Sequence, residues 1–344
     1  MAYRAVLAGC GAMARGWVKA LREEPGLAGR VELVGLVDID IRAAEAFRDA
    51  MGLGSLTVGT DLEAVLAMTN PDLLLDVVVP AARRDVVATG LRQGCHVLSE
   101  KPMATSMAQA REMVRLSMET GKTHAIVQNR RFIPGVRRIR ALIEGGALGT
   151  LTGLHADFFI GAHFGGFREA MQNVLLLDMA IHTFDAARFM SGKQPLAVYC
   201  HETNPEGSWY AHGAAANAIF EMSDGVAFGY RGSWVAEGAQ TSWESGWRII
   251  GTKGTLLWDG FEKFEANVVA GTEGFLRPVT PLDVPPPPHD GQTHGHASVI
   301  AEFLAAIEAN RPPETVGADN IKSLAMVFGA IESARTKARV EITT

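Results

Sequence analysis

The sequence predicts an α/β protein with an N-terminal doubly wound parallel sheet and a C-terminal α+β domain with a largely antiparallel sheet. In the first 125 residues, short apolar runs alternate with segments of helical spacing, and a glycine-rich turn follows the first run. From about residue 128, longer strand-like runs with hairpin-type turns predominate. Repeated strand–helix units build an open parallel sheet, and 344 residues exceed one ordinary core. We therefore predict two domains, residues 1–127 and 128–344.

The predicted strands of the first domain are rich in Val and Leu, which is typical of strands buried on both faces. They are Ala5–Ala8, Glu32–Val37, Leu73–Val79, His96–Ser99 and His124–Val127, and the intervening helices span 12–23, 41–51, 61–67, 83–93 and 105–120. The first run also resembles a short signal peptide. However, Gly9 interrupts it early, so we interpret it as a buried strand that enters a turn.

The second domain has fewer helices and more strands. Helices are predicted at 134–144, 174–190, 296–309 and 317–336, and strands at 151–160, 195–202, 214–222, 225–234, 246–251 and 254–258. Ser223-Asp224-Gly225 and Gly251-Thr252-Lys253-Gly254 have the composition of hairpin turns. A wide sheet with helices on one face leaves the other face uncovered. We expect this face to join subunits into a homo-oligomer, a dimer or tetramer.

Composition limits the classes of partner. A formal net charge of −6 gives no overall attraction to nucleic acid or to an anionic membrane surface, and no apolar run is long enough to span a bilayer. The three cysteines are too few and too widely spaced for a disulfide framework. We therefore expect a cytoplasmic protein with a small-molecule substrate.

The turn after the first strand has the pattern G-x-G-x-x-A, formed by Gly9, Gly11 and Ala14, with Ala12 and Met13 between. The first glycine permits a tight turn, the second lets the backbone approach a pyrophosphate, and a small third residue lets helix and strand pack closely. Asp38 ends the second strand, where a carboxylate can bond ribose hydroxyls. Together these features predict a Rossmann domain that binds NAD. Because Arg42 follows one helical turn later, NADP remains possible.

Lys101 lies in Ser99-Glu100-Lys101-Pro102, directly after a predicted parallel strand. Ligands of open α/β sheets bind outside the carboxyl ends of the strands, so Lys101 is placed to bond a substrate hydroxyl. A solvated surface charge is the alternative.

Asp178, His182 and Asp185 are spaced i, i+4, i+7 in a predicted helix and therefore share one helical face. A histidine oriented by a carboxylate can act as a general base. A salt-bridge cluster is the alternative, and because no further ligand is evident nearby we expect no metal. Arg168, in the loop before this helix, either contacts substrate oxygens or forms a salt bridge at the helix start.

His294-x-His296 near the proline run has spacing that could bind metal, but we interpret it as part of a loop before a helix. The aromatic side chains of the second domain either line a sugar site or form a subunit interface. They are Trp209, Tyr210, Trp234, Trp243 and Trp247.

The sequence resembles the Gfo/Idh/MocA family, named for glucose–fructose oxidoreductase, inositol dehydrogenase and a rhizopine catabolism protein. The resemblance rests on the early glycine pattern, on Glu100-Lys101-Pro102, on D-x-x-x-H-x-x-D from Asp178 to Asp185, and on the late phrase Ile250–Leu256. These motifs cover nearly the whole chain in the family's order.

The resemblance implies an NAD(P)-dependent dehydrogenase that transfers hydride between a secondary alcohol of a sugar, cyclic polyol or derivative and the nicotinamide. It implies that Lys101 and His182 act on the substrate hydroxyl with Asp178 beside them. It also implies that Pro80 and Glu100 lie with Lys101 at the cofactor, and that the Lys101–Pro102 bond is cis. Two alternatives remain open on the same fold: an NAD-sensing regulator without catalysis, and an NAD-assisted glycoside hydrolase.

The chain departs from the family pattern in two places. After Pro80, Ala81-Ala82-Arg83-Arg84 replaces the usual Asn-x-x-His, which puts in doubt the roles of those two residues. The glycine-rich run that often precedes the aspartate–histidine helix is replaced by 173–177, so we expect a different wall of the substrate pocket.

Overall fold

The computed structural model describes residues 2–287 and 295–344 and divides into two compact units. The first comprises Met1–Phe132 and Asp290–Leu324, and the second comprises Ile133–His289 and Ala325–Thr344. The helices and strands, in chain order, are β1 (Tyr3–Ala8), α1 (Ala12–Glu23), β2 (Val31–Val37), α2 (Ile41–Ala50), β3 (Thr57–Gly59), α3 (Leu62–Thr69), β4 (Leu73–Asp76), α4 (Pro80–Arg92), β5 (His96–Ser99), α5 (Met107–Thr120), β6 (His124–Ile126), α6 (Pro134–Glu144), β7 (Leu151–Phe159), α7 (Ile181–Ser191), β8 (Pro195–Thr203), β9 (Ala215–Met222), β10 (Ala227–Ser233), β11 (Gly246–Gly251), β12 (Gly254–Trp258), β13 (Phe264–Val269), β14 (Val279–Pro281), α8 (His296–Glu308), α9 (Gly317–Thr336) and β15 (Val340–Glu341).

A parallel sheet in the order β3-β2-β1-β4-β5-β6 forms the centre of the first unit. Its central strands are buried on both faces, and every residue of β4 is buried. Side chains of α1 and α8, among them Trp17, Ile300 and Phe303, pack in the same buried cluster as Leu7 and Leu75. This confirms the predicted doubly wound Rossmann fold and adds α8, which the sequence pattern places in the second domain, to the core of the first unit.

The helices begin where the sequence offers a suitable cap. Asp40 accepts the backbone N–H of Arg42 at the start of α2, and Asp61 accepts that of Ala64 at the start of α3. Pro80 occupies the first turn of α4, where its fixed φ and its missing N–H cost nothing.

The predicted strand Leu73–Val79 is too long, because β4 ends at Asp76. Val77 donates its N–H to Ala8 and the chain then leaves the sheet. Val79 is exposed and directly precedes α4, which starts three residues before the predicted helix at 83–93. The apolar residues Val77–Val79 therefore belong to the segment that connects β4 to α4 and not to the strand.

The second unit is built on a mostly antiparallel sheet in the order β14-β13-β12-β11-β7-β10-β9-β8-β15, in which only β7 and β10 pair in parallel among the described residues. Buried and exposed residues alternate along β9, as expected for a sheet with one covered face. The predicted α+β class is confirmed. The sequence prediction omitted β13, β14 and β15, and also β3 of the first unit, because these strands are short or weakly apolar.

The predicted continuous helix at 174–190 is wrong in its first part. Leu175–Ala180 form a π-helical stretch, and α7 follows from Ile181. Periodicity at 3.6 residues cannot reveal such a local widening of the helix. In the parts of the chain that the structure covers, no helix combines the length and apolar character needed to cross a membrane.

Candidate functional site

The predicted cofactor residues follow strands that end side by side at the carboxyl edge of the first sheet. Ala8 is in register with Val37 on one side and with Asp76 on the other, and Asp76 is in register with Ser99. The residues that follow these strand ends therefore leave the sheet together at the point where the strand order reverses. This is the usual ligand-binding edge of a doubly wound sheet.

Gly9 makes the tight turn after β1. Its φ is +92°, and a Cβ at this position would lie 2.7 Å from the carbonyl oxygen of Val77. Any other residue would therefore be strained and would clash with backbone. Gly11 differs, since its φ is −79° and a Cβ there would meet no atom within 4 Å. The absence of a side chain at Gly11 leaves space beside the loop.

The N-terminus of α1 is open to an anionic group. Gly11 is the N-cap and provides no side-chain hydrogen bond, and the first turn holds no acidic residue. Ala12 and Met13 are exposed, while Ala14 is fully buried against the core. Backbone N–H groups and the positive end of the helix dipole at such a terminus bind phosphate. This geometry fits a dinucleotide pyrophosphate.

The Asp38 carboxylate is fixed at the end of β2. One oxygen accepts the N–H of Cys10 at 2.8 Å and the other accepts that of Asp40 at 3.1 Å. Each oxygen retains a lone pair for a further donor. Arg42 approaches Asp40 at 3.6 Å and is largely exposed. Asp38 is therefore held beside the glycine loop, as the prediction of a ribose contact requires.

Glu100 is buried and held by three groups of the first unit. The Trp17 indole donates to one carboxylate oxygen at 2.8 Å, His296 contacts the same oxygen at 2.6 Å, and the Lys101 N–H donates to the other oxygen at 3.2 Å. Burial alone would raise the pKa of Glu100. The hydrogen bond and charge of His296, with Trp17 and Lys101, outweigh burial and lower it.

Lys101 is half-buried directly after β5, and its peptide bond to Pro102 is cis, as the family resemblance implied. The carbonyl oxygen of Pro102 accepts a hydrogen bond of 2.5 Å from Arg83, a buried residue of α4. Pro80, at the start of α4, is partly exposed. The Lys101 backbone is thus bracketed by two fixed neighbours, Glu100 before it and Pro102 after it.

Asp178 lies in the π-helical stretch of the second unit and pairs with Arg168, whose Nε donates at 2.8 Å. The structure shows the salt bridge, which is one of the two roles that the sequence left open for Arg168. The rings of Phe164 and Phe167 lie 5.0 and 4.9 Å from the Arg168 guanidinium carbon. The arginine is therefore oriented by a carboxylate and two aromatic rings.

His182 and Asp185 lie in α7, and both are buried. Asp185 approaches Arg188 at 3.8 Å. The predicted single face applies to His182 and Asp185, which α7 contains. Asp178 precedes them in π-helical geometry, where the expected α spacing does not hold. π-Helical turns inside helices are often found at functional sites.

Three of the aromatic residues proposed for a sugar site or an interface are buried in the core of the second unit: Tyr210, Trp234 and Trp247. Trp234 packs against Phe158, Phe164 and Trp243, with ring centroids 5.0 to 5.6 Å apart. Trp243 remains about half exposed. Except for Trp247 in β11, these residues lie outside regular strands and helices, so periodicity could not separate core from surface aromatics.

Among the described residues, no group of three or more His, Cys, Asp and Glu side chains is arranged to hold a metal ion. His289 and His294 lie outside the described residues. His296 is described, and its contact with Glu100 is a functional-site feature that the sequence did not predict. Arg83 was missed in the same way, since an arginine in a helix is ordinarily taken as a surface charge.

Family comparisons cover both units. A family model described as an oxidoreductase family with an NAD-binding Rossmann fold matches residues 3–128, and a model of the GFO/IDH/MocA C-terminal domain matches residues 136–257. D-apiose dehydrogenase of Paraburkholderia graminis is 24% identical over 99% of this chain and 90% of its own length. Inositol 2-dehydrogenase of Rhizobium meliloti is 25% identical over 90% of this chain and 91% of its own.

Solved structures share the fold along the whole chain. An oxidoreductase from Agrobacterium radiobacter, in complex with NAD⁺, L-tartaric acid and magnesium, has a TM-score of 0.83 and 21% identity, with 99% of each chain covered. The WlbA dehydrogenase from Bordetella pertussis, in complex with NADH and UDP-GlcNAcA, has a TM-score of 0.81 and 20% identity, with 100% of each chain covered. The chain therefore belongs to the Gfo/Idh/MocA family of oxidoreductases, whose N-terminal domain is an NAD-binding Rossmann fold.

Proposed function

We propose that the protein is an NAD-dependent dehydrogenase that oxidises, reversibly, a secondary hydroxyl of a sugar, cyclic polyol or derivative. The observation that carries this proposal is the position of Lys101. It follows β5 at the same sheet edge as the glycine loop and Asp38, and its backbone is held by Glu100 and Pro102. A regulator that only senses NAD would not need a lysine held in this way.

In this proposal the first unit holds the cofactor. The N–H groups at the start of α1 bind the pyrophosphate, and the space beside Gly11 admits it. Asp38 accepts hydrogen bonds from the adenosine ribose and disfavours a 2′-phosphate, which gives NAD preference over NADP. Pro80, Glu100 and Lys101 would hold the nicotinamide, which would supply a hydride acceptor.

The second unit supplies the base. His182 accepts the proton of the substrate hydroxyl while Lys101 hydrogen-bonds the same oxygen and stabilises its developing negative charge. Asp178 orients His182 or bonds a neighbouring hydroxyl, and Arg168, paired with Asp178, bonds further oxygens of the substrate. Either Lys101 or His182 can release the proton finally to solvent.

The substrate class is supported by the relatives. D-apiose dehydrogenase and inositol 2-dehydrogenase both align along most of the chain. The Arg168–Asp178 pair fits a polyhydroxylated ligand, because it offers N–H donors and carboxylate acceptors side by side.

A two-step screen tests the proposal. Melting temperature is first measured with NAD and with NADP, and a ligand that binds the folded state raises it by mass action. Inositols, pentoses and sugar acids are then tested for NADH formation. NAD stabilisation followed by NADH formation with a polyol or sugar supports the proposal. Stabilisation by NAD without turnover of any hydroxylated compound would favour the regulator, and glycoside cleavage without net NADH would favour the hydrolase.

We further propose a cytoplasmic homo-oligomer, assembled through the uncovered face of the second sheet. This face exposes Tyr199 and Ile219 and has a depression of about 770 Å³ that both residues line with Arg248. Exposed apolar side chains in a wide depression are typical of subunit interfaces. All three cysteines are buried and free, which agrees with a reducing compartment.

A further inference from the structure

Arg83 is a buried arginine at the carboxyl edge of the first sheet. Its side chain is 1% exposed, and its nearest acid, Asp76, is fully buried at the end of β4. A buried guanidinium is costly unless each donor finds an acceptor. The acceptors around Arg83 therefore indicate which parts of the chain this side chain holds in place.

The guanidinium donates hydrogen bonds to one carboxylate and to two backbone carbonyls. Its Nε donates to the Asp76 carboxylate at 2.9 Å, one Nη donates to the Val78 carbonyl at 2.7 Å, and the other donates to the Pro102 carbonyl at 2.5 Å. Val78 lies on the approach to α4, and Pro102 follows Lys101 directly. One side chain thus links the end of β4 to the turn that presents Lys101.

Asp76 is itself fixed from the neighbouring strands. It is in register with Ser99 at the end of β5, and the Ser99 hydroxyl hydrogen-bonds it. Ser99 in turn lies 3.0 Å from Nε2 of the buried His124 in β6. The anchor of Arg83 is therefore part of a buried polar network across β4, β5 and β6.

We propose that Arg83 is a positioning residue that sets the location of the Lys101 side chain through its bond to Pro102. This rests on the proposed function only for its catalytic consequence. Lysine could replace the charge, but a single ammonium on a flexible stem cannot match the fork of donors that reaches three acceptors in different directions. Arg83→Lys should therefore keep the ion pair with Asp76 and loosen the Pro102 turn.

The first test needs no substrate. The rate of reductive methylation of Lys101 is measured in the full-length protein by peptide mass spectrometry, with two lysines of the same unit as internal references. Lys19 is exposed, and Lys122, at the opposite edge of the sheet, is half-buried like Lys101. The matched control is Arg84→Lys, since Arg84 is the next residue of α4 and pairs on the surface with Glu112.

Methylation of Lys101 should be at least about threefold faster in Arg83→Lys than in the wild-type protein. This is the change in rate expected when roughly one hydrogen bond that holds the Pro102 turn is lost. The methylation rates of Lys19 and Lys122 should be unchanged, and all three rates in Arg84→Lys should equal those of the wild-type protein. Equal acceleration at Lys101 and Lys122 would show a general structural role and overturn the proposal, as would unchanged Lys101 methylation.

If Arg83→Lys does not fold, the paired variant D76L/R83M replaces both charges by apolar side chains, which proteins often tolerate. It lacks every donor to Pro102 and must show the same selective acceleration. Once a substrate is known, Arg83→Lys should lower kcat at least about tenfold, because small displacements of a catalytic group are costly, while NAD affinity stays unchanged. Failure to find any substrate would count against the proposed function and leave the methylation result valid.

Discussion

His182 is a buried imidazole in α7 of the second unit, and the proposed mechanism gives it the substrate proton. General-base catalysis typically contributes about 10² to 10⁴ in rate. His182→Asn should therefore lower kcat at least about a hundredfold and leave the NAD dissociation constant unchanged. Steady-state kinetics and NAD titration measure the two effects. His96→Asn is the control, because His96 starts β5 at the other edge of the sheet; full activity of His182→Asn would remove His182 from the mechanism.

In the proposed mechanism, Asp38 sets the preference between NAD and NADP. Replacing its carboxylate by an amide removes the repulsion of a 2′-phosphate and weakens the ribose contacts. Asp38→Asn should shift the ratio of NADP to NAD affinity by about tenfold or more toward NADP. Asp40→Asn is the control, since asparagine caps α2 as well as aspartate does. An unchanged ratio in Asp38→Asn would place the ribose elsewhere.

At the scale of single residues, the sequence predicts a role for groups whose chemistry follows from a local motif. Gly9, Asp38, Lys101 and His182 belong to this class, and the catalytic and cofactor-binding roles among them stay predictions. The sequence singles out neither Arg83 nor His296 for a role. Their contacts with Pro102 and Glu100 depend on burial, which is set by tertiary packing and leaves no local pattern.

The turn between β1 and α1 contains two glycines with different functions. A Cβ on Gly9 would meet the Val77 carbonyl, whereas one on Gly11 would point into open space. Gly9→Ala should lower the free energy of unfolding by about 1–3 kcal/mol. Gly11→Ala should change it by less than about 0.5 kcal/mol. Because its methyl group occupies the space of the pyrophosphate, it should weaken NAD binding about tenfold or more, a loss of about 1.4 kcal/mol.

Thermal unfolding and NAD titration of the two variants separate these effects. A Gly11→Ala variant that binds NAD normally would show that the pyrophosphate does not lie over this loop. A Gly9→Ala variant as stable as the wild-type protein would contradict the strain and clash assigned to Gly9.

The strand β6 contains a histidine that is held neutral. Burial, with a smaller effect of the Arg83 charge, lowers the pKa of His124 from 6.5 to about 3. Between these values the unfolded chain binds a proton that the folded protein does not, so stability is complete above pH 6.5 and falls as the pH decreases toward 3. Because of this histidine alone, the free energy of unfolding should be about 2 kcal/mol lower at pH 5 than at pH 8.

Chemical denaturation of the protein and of His124→Asn at both pH values measures this contribution. The variant should lose less stability between pH 8 and pH 5, because asparagine does not titrate. Equal losses in the two proteins would show that His124 is protonated in the folded state.

At the scale of elements, strongly periodic helices and buried strands were predicted well, while their ends and irregular parts were not. The run Leu73–Val79 is apolar throughout, yet only Leu73–Asp76 pairs as strand. The π-helical stretch at Leu175–Ala180 and the short strands β3, β14 and β15 carry too few residues to produce a recognisable period.

Over the whole molecule, the C-terminal segment contributes to both units. Of the described residues, 295–324 belong to the first unit, and α8 packs in its core, although the chain has by then passed through the second sheet. Sequence order alone cannot predict this return. It explains how His296, far from Glu100 in the chain, becomes its hydrogen-bond partner.

The exposed face of the second sheet carries the prediction of assembly. Ile219 is 61% exposed in the middle of β9, and a charge there would have to be desolvated in an interface. Ile219→Arg should convert the oligomer to monomers at micromolar concentration, measured by size-exclusion chromatography with light scattering. Met118→Arg, at an exposed position of α5, should leave the mass unchanged. A monomeric unmodified protein, or an Ile219→Arg oligomer, would contradict this interface.

We propose that Lys101 and His182 act on the same hydroxyl of the substrate beside NAD. A crystal structure with NAD and the best ligand of the polyol screen would show whether one hydroxyl reaches both side chains. We expect one ligand hydroxyl within about 3 Å of both Lys101 Nζ and a His182 ring nitrogen. A ligand hydroxyl that contacts neither side chain, or NAD bound away from the Gly9–Gly11 loop, would contradict it.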